Sequence, residues 1–566
     1  MKHSTKYIFV VGGVMSGVGK GVTAASIAKI IQSRGIETTS VKIDPYVNVD
    51  AGTMNPTEHG EVFVLDDGTE CDQDMGNYER FLNRSLTKTN YMTTGSVYLS
   101  VIQKERNLEY GGRQVEVVPR IPLEVLDRLE KAAAKNKAQV VVTEIGGTVG
   151  EYENILFLEA VRMLKLKNPG DVALVLVSFV PALGAGGTEL KTKPTQHAVR
   201  SLNSVGLHPD FIIARAHIPL DKKRKEKLEF MCSIEEGNVI SAPNVANIYD
   251  VPVNFEKDGL GERILAKLGL KSKTRDMKDW KKLSETARRS KEEVKIGIVG
   301  KYFGSGDFTL TDSYISVIEA VKHASYALKK KVTIEWLDSH DFEKSPKLLK
   351  KLSGYGGVLV PGGFGSRGVE GKVLAIRYCR ENKIPYFGLC YGMQLAVVEF
   401  ARDVAGMKKA NTTEISPRTP FPVIDILLEQ KKNLEDKNYG GTMRLGAYPA
   451  IIKANSIAHM AYRNSSFVKK GNTPLATRSL QISERHRHRY EVNPKYIERL
   501  EKKGLVFSGI SPDRRLMEIA ELPKSEHPFF LGTQFHPEFK SRPLDPHPLF
   551  VEFIKAAAAN RLKTKK

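Results

Sequence analysis

The stretch YIFVVGGVMSGVGKGVTAASIAKII, residues 7–31, decides how the N-terminal half is read. A β-branched apolar run passes into a glycine-rich turn, and the turn into a helical pattern with small residues on one side. In such a strand, loop and helix, backbone N–H groups and the helix N-terminus cradle phosphates, and Lys20 reaches the terminal ones. The loop departs twice from the usual phosphate-binding pattern. Five residues rather than four separate Gly13 from Gly19, and Gly21 follows Lys20 where Ser or Thr is usual.

That hydroxyl normally ligates Mg²⁺, so a metal here must lean on carboxylates, the ligands a hard cation takes. Glu144 closes the apolar strand VVVTEI and sits at its carboxyl edge. The turn-rich run LDDGTECDQDMGNYERF, residues 65–81, offers Asp72 and Asp74, and its pattern alone does not choose between them. Lys42, in VKIDPYVN, and the run KTKPTQH, residues 191–197, add positive charge for a second anionic ligand.

Around this site the chain is long and basic. Its 566 residues exceed what one hydrophobic core sustains, which implies two or more domains. A net charge of +21 fits nucleic acid, an anionic membrane or a polyanionic small substrate such as a nucleoside triphosphate. No zinc-finger spacing, RNP-like aromatic strand or heptad zipper supports nucleic acid. The apolar runs are too short to span a membrane, and YIFVVGGVM is too short and glycine-rich for a signal peptide. Cys71, Cys232, Cys379 and Cys390 are scattered, without metal spacing, which points to a reducing cytoplasm.

Apolar runs alternate with helical patterns: YIFVV, QVVVTEI, DVALVLVSFV and DFIIARA, then VKIGIVG, GVLVPGG and IPYFGLC. The expected fold class is α/β, a P-loop-type parallel-sheet domain followed by a second α/β domain. Residues 271–293, dense in Lys and Arg, read as a solvated linker between domains at 1–270 and 294–553; residues 554–566 read as a basic tail.

In the second domain, IPYFGLCYGMQLAVVEF, residues 384–400, runs strand, sharp turn, helix, with Cys390 at the corner of G-L-C-Y-G. This is the nucleophile-elbow pattern with Cys in place of Ser, and the helix N-terminus favours thiolate. His536, in GTQFHPEF, is the expected base, and strand alternation would place Glu538 on the same face to orient it. PGGFG, residues 361–365, follows another strand and offers an oxyanion a backbone N–H beside that of Tyr391. A Cys–His–Glu acyl-transfer site joined to an ATP site divides the labour: one half frees ammonia from glutamine, and the other converts a poor leaving oxygen to phosphate.

The stretches GGVMSGVGKG, KIDPYVNVDAGTMNPTEHGEVFV, TEIGGTVGEYE, KTKPTQH, PGGFGSRGVEG, YGGTMRLGAYP, ERHRHRYEVN and QFHPEF together resemble the CTP synthase family over essentially the whole length. The resemblance implies a class I glutaminase domain whose ammonia displaces phosphate from UTP phosphorylated by ATP at ring oxygen 4, giving CTP. It places ATP on Gly17, Val18, Gly19, Lys20, Gly21 and Val22, with Asn244 and Val245 lining the base, and Mg²⁺ on Asp74 and Glu144. Lys20 and Lys42 would stabilise charge during phosphoryl transfer. Ser16, Glu151, Tyr152, Glu153, Lys191, Thr192, Lys193, Pro194, Thr195, Gln196 and Lys227 would contact UTP or the feedback inhibitor CTP. Gly363, Tyr391, Gly392, Met393, Gln394, Glu414 and Arg489 would hold glutamine, and His59 would gate the ammonia path. The family further implies activation by GTP and a homotetramer.

The chain departs from the family pattern at Tyr391 (commonly Leu), Glu151 (usually Asp) and Arg120 (often His), and the run GSGDFTLTDSYISV, residues 304–317, is longer than its counterpart. Two other readings share part of the logic: a cobyrinic-acid-type amidase, in which KTKPTQH would have no role, and a switch ATPase, which would carry an additional signature lysine early in the loop.

Overall fold

The computed structural model describes residues 4–184, 189–301, 311–426, 430, 441–468 and 479–564. Residues 304–310 of the long run above lie outside them. By packing, the chain divides into two units: Met1–Ala51 with Asp74–Glu285, and Gly52–Gln73 with Thr286–Lys566.

The first unit is built on a seven-stranded sheet ordered Val239–Pro243, Phe211–Ala216, Val172–Phe179, Lys6–Gly13, Val140–Ile145, Thr38–Asp44, Tyr91–Thr93, in which every pairing is parallel. Helices cover both faces, so the central strands are buried on both sides and read as unbroken apolar runs. Helix Lys20–Ser33 follows the first strand, and its fully buried Ala24, Ala25 and Ala28 bring it close to the sheet. The strand order reverses around Lys6–Gly13, and the crevice at such a reversal is where open α/β sheets bind ligands.

Residues 271–293 are not wholly solvated. They contain helix Lys278–Arg289, whose Trp280 is buried against Phe81 and Tyr249 and donates its indole N–H to the Tyr249 carbonyl at 2.9 Å. One aromatic anchor outweighs the polar composition around it.

The second unit has a nine-stranded sheet ordered Lys331–Asp338, Glu293–Gly300, Gly357–Val360, Tyr386–Leu389, Phe530–Thr533, Met517–Glu521, Val506–Ile510, Arg444–Ile452, Leu480–His488. Its first five strands are parallel and the remainder antiparallel. Alternate side chains feed two cores: Val360 and Tyr386 enter one, Leu359 and Phe387 the other. Helix Pro548–Thr564 runs through the expected tail, because Phe553, Ile554 and Ala557 are buried on it.

The hairpin Val62–Val64/Glu70–Asp72 belongs to this second unit although its sequence lies within the first. Arg485, fully buried, donates from Nε to Asp66 Oδ1 at 2.6 Å and from Nη1 to the Val64 carbonyl at 3.0 Å. Arg487 donates to Glu70 Oε1 at 2.8 Å, and Glu61 accepts from the Ser316 N–H at 3.2 Å. Arg485→Met removes the donor to the Val64 carbonyl and the closest cation of Asp66, which keeps Lys540 at 3.6 Å and is partly exposed, so the loss should be about 1–3 kcal/mol. We expect calorimetry to show a lower melting temperature for the second unit; an unchanged one would mean that other contacts hold the hairpin.

Candidate active site

In the first unit, strand register brings the charges together. Lys42 and Glu144 are direct partners across Thr38–Asp44 and Val140–Ile145, and Glu144 pairs with Val10 on its other side. Lys42 Nζ lies 2.6 Å from Asp74 Oδ2, 2.9 Å from Glu144 Oε1 and 3.6 Å from Asp44 Oδ1. The Tyr78 hydroxyl donates to the other oxygen of Glu144. Burial, with the charge of Asp74 beside it, pushes the Glu144 carboxyl up despite Lys42 and Tyr78. Burial also pulls Lys20 below its ordinary value. The Lys20 ammonium donates to the Gly147 carbonyl at 2.9 Å.

The missing hydroxyl after Lys20 has a steric explanation. A Cβ on Gly21 would stand 1.8 Å from Asp74 Oδ1 and 2.5 Å from its Cγ. The Asp74 carboxylate, at the start of helix Asp74–Leu82, occupies the space that a Ser or Thr side chain would need. Asp72 is placed differently, in the hairpin of the second unit opposite Val62.

Beyond the loop a cavity of about 280 Å³ is lined by Gly19, Val22, Asn244 and Val245, four of the residues singled out in the sequence, and by Arg215, Ile248 and Phe255, which were not. Arg215 donates to the Ala242 carbonyl at 2.8 Å and to Asn244 Oδ1 at 3.1 Å. Its signal was available: a lone cation ending the apolar run FIIARA. Gly17 and Gly19 both take positive φ, which keeps the intervening Val18 and the loop backbone in a tight turn.

The residues expected at UTP are brought together only in part. Glu151 accepts from the Thr148 N–H at 2.8 Å, one turn from Lys20's partner Gly147. Lys193 and Pro194 open helix Lys193–Ser204; its Thr195 and Gln196 are buried, and Gln196 donates to Thr192 at 3.2 Å. Lys191 pairs with Glu189. Ser16, Tyr152, Glu153 and Lys227 are exposed, and Lys227 has no hydrogen bond or ion pair among the described residues. His59, exposed, ends the short helix Pro56–His59 in the second unit.

In the second unit three adjacent parallel strands end side by side. Gly357–Val360 delivers the glycine loop, Tyr386–Leu389 delivers Cys390, and Phe530–Thr533 leads to His536. Cys390 takes φ 49° and ψ −97°, a strained conformation for a residue with a side chain, and its N–H donates to the Thr533 carbonyl at 2.6 Å. Gln534 Nε2 lies 3.6 Å from its sulfur. A Cβ on Gly362 would meet His536 Cε1 at 2.8 Å and Cys390 Cβ at 3.8 Å, so the loop, Cys and His are in mutual reach.

His536 Nδ1 lies 2.7 Å from Glu538 Oε1, but not through strand alternation. Pro537 cannot donate to a ladder, the strand stops at Thr533, and a 3₁₀ turn over Pro537–Lys540 swings the carboxylate back to the ring. His536 Nε2 is buried without a hydrogen-bond partner. Burial would lower this imidazole, yet the Glu538 charge and the Cys390 sulfur raise it to about 10. A protonated imidazole beside a thiol is the arrangement that favours thiolate.

Around the dyad, Gly365 donates its N–H to Glu414 Oε1 at 2.6 Å, Gln394 donates to the Tyr490 carbonyl at 2.9 Å, and Arg489 donates to Gln430 at 2.6 Å. Gly392 and Met393 lie buried in the helix behind Cys390. Lys372, another residue that sequence reading missed, is 1% exposed, and burial with Lys301 nearby lowers it to about 7.

Two family models match the chain: CTP synthase N-terminus over residues 6–270 and glutamine amidotransferase class-I over residues 309–556. The CTP synthase of Carboxydothermus hydrogenoformans is 51% identical over 563 residues, covering 99% of each chain, and that of Pyrococcus abyssi is 50% identical over 555 residues, covering 98% of each. The chain belongs to the CTP synthase family. Membership makes it a glutamine-hydrolysing C–N ligase of pyrimidine biosynthesis, with UTP, ATP and glutamine as substrates. The amidase and switch-ATPase readings find no support. Among solved structures, the glutaminase domain of Trypanosoma brucei CTPS with bound acivicin matches at 38% identity, covering 47% of this chain and 94% of that one, with a TM-score of 0.40.

The packing of Asp74 on Gly21 yields a counter-intuitive expectation for this family member. Gly21→Ser restores the usual loop sequence but forces Asp74 off its place, so UTP-dependent ADP release should fall at least a hundredfold while glutamine hydrolysis persists. Parent-level ADP release in the variant would refute the packing argument.

Proposed function

We propose that CTP formation is divided between the two clusters, with residues 1–270 acting as synthetase, 294–553 as glutaminase, and 271–293 joining them. The observation that carries the reading is the convergence of Cys390, His536 and the 361–365 loop at three neighbouring strand ends. The Cys390 thiolate attacks the amide carbonyl carbon of glutamine. The N–H of Tyr391 and the glycine loop receive the oxyanion. His536 gives its proton to the leaving nitrogen, ammonia departs, and water then cleaves the thioester to glutamate with His536 as base. Glu538 orients the ring. Gly363, Gly392, Met393, Gln394, Glu414 and Arg489 hold glutamine.

In the synthetase, O4 of UTP attacks the γ-phosphorus of ATP, ADP leaves, and ammonia displaces phosphate at C4. Residues 17–22 hold the phosphates, with Asn244 and Val245 against the base. Asp74 and Glu144 fit Mg²⁺: both are hard oxygen donors, and they converge on one point, the Lys42 ammonium. Bound there, the ion would neutralise phosphate charge. Lys20 and Lys42 add fixed positive charge at the same place. Ser16, residues 151–153 and 191–196 and Lys227 contact UTP or inhibitory CTP, and His59 gates ammonia.

GTP activation follows the family. A homotetramer is supported by apolar side chains left open on the first unit, Tyr152 at 92% and Phe230 at 84% exposure, and would complete a site that includes the unpartnered Lys227. Four free cysteines support a cytoplasmic setting. No described helix is long and apolar enough to cross a membrane.

Two sets of variants test the division. Cys390→Ala should lose glutamine-dependent synthesis and keep ammonia-dependent synthesis, whereas Lys20→Ala should lose both by several orders of magnitude; loss of both activities in folded Cys390→Ala would break the model. Asp74→Asn and Glu144→Gln should abolish ADP release with UTP and ammonia, with Asp72→Asn much milder. A dead Asp72→Asn beside an active Asp74→Asn would overturn the metal assignment.

A further inference from the structure

The glycine loop near Cys390 is held from several sides, and one of the holding groups belongs to the residue that follows the nucleophile. The Tyr391 hydroxyl donates to the Gly365 carbonyl at 2.8 Å. Glu414 takes the N–H of the same glycine at 2.6 Å, so Gly365 is gripped at both of its polar groups. Lys301 donates to the neighbouring Phe364 carbonyl. A Cβ on Gly363 would stand 3.8 Å from Tyr391 Cδ1 and 3.9 Å from Lys372 Nζ, so the loop lies against the Tyr391 ring as well as above its hydroxyl.

The ring is in turn fixed from behind. Tyr391 is 1% exposed, and the Lys372 ammonium stands 5.2 Å from its centroid, within the range of a cation–π contact. Lys372 is buried and forms no ion pair within 4 Å among the described residues. A buried ammonium without a close carboxylate is costly, and the Glu414 and Asp338 charges that act on Lys372 lie beyond ion-pair distance. Tyr gives it a π-face. The same residue already presents its backbone N–H at the start of helix Tyr391–Asp403, beside the nucleophile.

We propose that Tyr391 is a positioning residue for glutamine hydrolysis: backed by Lys372, its hydroxyl clamps the Gly365 carbonyl and so sets where the 361–365 loop presents its N–H to the oxyanion. One residue then supplies one donor of the hole and fixes the place of the other. The inference rests on the reading of Cys390 as the glutaminase nucleophile.

The clamp acts on the oxyanion and not on ground-state glutamine, so its loss belongs in kcat rather than KM. Tyr391→Phe keeps the ring over Lys372 and the backbone N–H and removes only the hydroxyl. One hydrogen bond of about 1 kcal/mol corresponds to roughly a fivefold to tenfold fall in kcat for glutamine hydrolysis, with KM changed less than twofold. Affinity for glutamate γ-semialdehyde, which forms a tetrahedral adduct with the thiol, should weaken by the same factor. Ammonia-dependent CTP synthesis reports that the variant is folded.

Parent kcat and parent aldehyde affinity in Tyr391→Phe overturn the inference, as does a loss confined to KM. If Tyr391→Phe does not fold, Lys372→Met, which keeps the stem length without the charge, carries the same test with the same expected fall and the same overturning result. Cys390→Ala separates the two levels. Continued glutamine hydrolysis in Cys390→Ala would remove the underlying reading, whereas an inactive Cys390→Ala beside a parent-like Tyr391→Phe would remove the clamp alone.

Discussion

The carboxylate of Asp74 resting on Gly21 is the contact on which the first unit turns. It occupies the space that a side chain after Lys20 would need and brings a negative charge to the mouth of the phosphate loop. Lys42 then spans the space between Asp74 and Glu144, with Asp44 close behind. Taking such charges out of water costs several kcal/mol per ion, and only mutual pairing makes the cluster tenable. Burial first, and the Asp74 charge second, push the Glu144 carboxyl up against the pull of Lys42.

The second unit depends on strain rather than on excess charge. Cys390 is held at positive φ between a strand and a helix, at a cost of about 1–3 kcal/mol that its surroundings must over-determine. The bond to Thr533, the close packing of Gly392 beneath Val360, and the loop passing over His536 do so. The imidazole gains charge from Glu538 on one side and the sulfur on the other. The glycine loop, Cys390 and His536 follow the ends of three different strands, and parallel pairing places those ends in one row.

Between these clusters the chain makes an excursion. It leaves the first unit at Ala51, is carried by the second through Gln73, and returns at Asp74, the residue that sits on Gly21. The excursion is anchored by Arg485 and Arg487, neighbours in sequence of Arg489.

Sequence by itself determined the α/β class, the phosphate loop, the cysteine elbow and the family, because each is a local pattern: unbroken apolar strands, glycines at a turn, a nucleophile between two glycines. It also singled out Glu144 and His536, since strand ends are legible from composition. Tertiary structure decided what local pattern cannot carry. Asp74 was separated from Asp72 by which of two packing units each joins, and residues 52–73 were given to the second unit by buried ion pairs more than 400 positions apart in sequence. Trp280 pulled part of a polar stretch into the first unit, and a proline turn rather than a strand brought Glu538 to His536. Lys372 and the hydroxyl of Tyr391 had no motif to announce them, and Arg215 had only its place as a lone cation in an apolar run. Their places follow from burial and from the groups that fold in beside them, and those are properties of the packed chain alone.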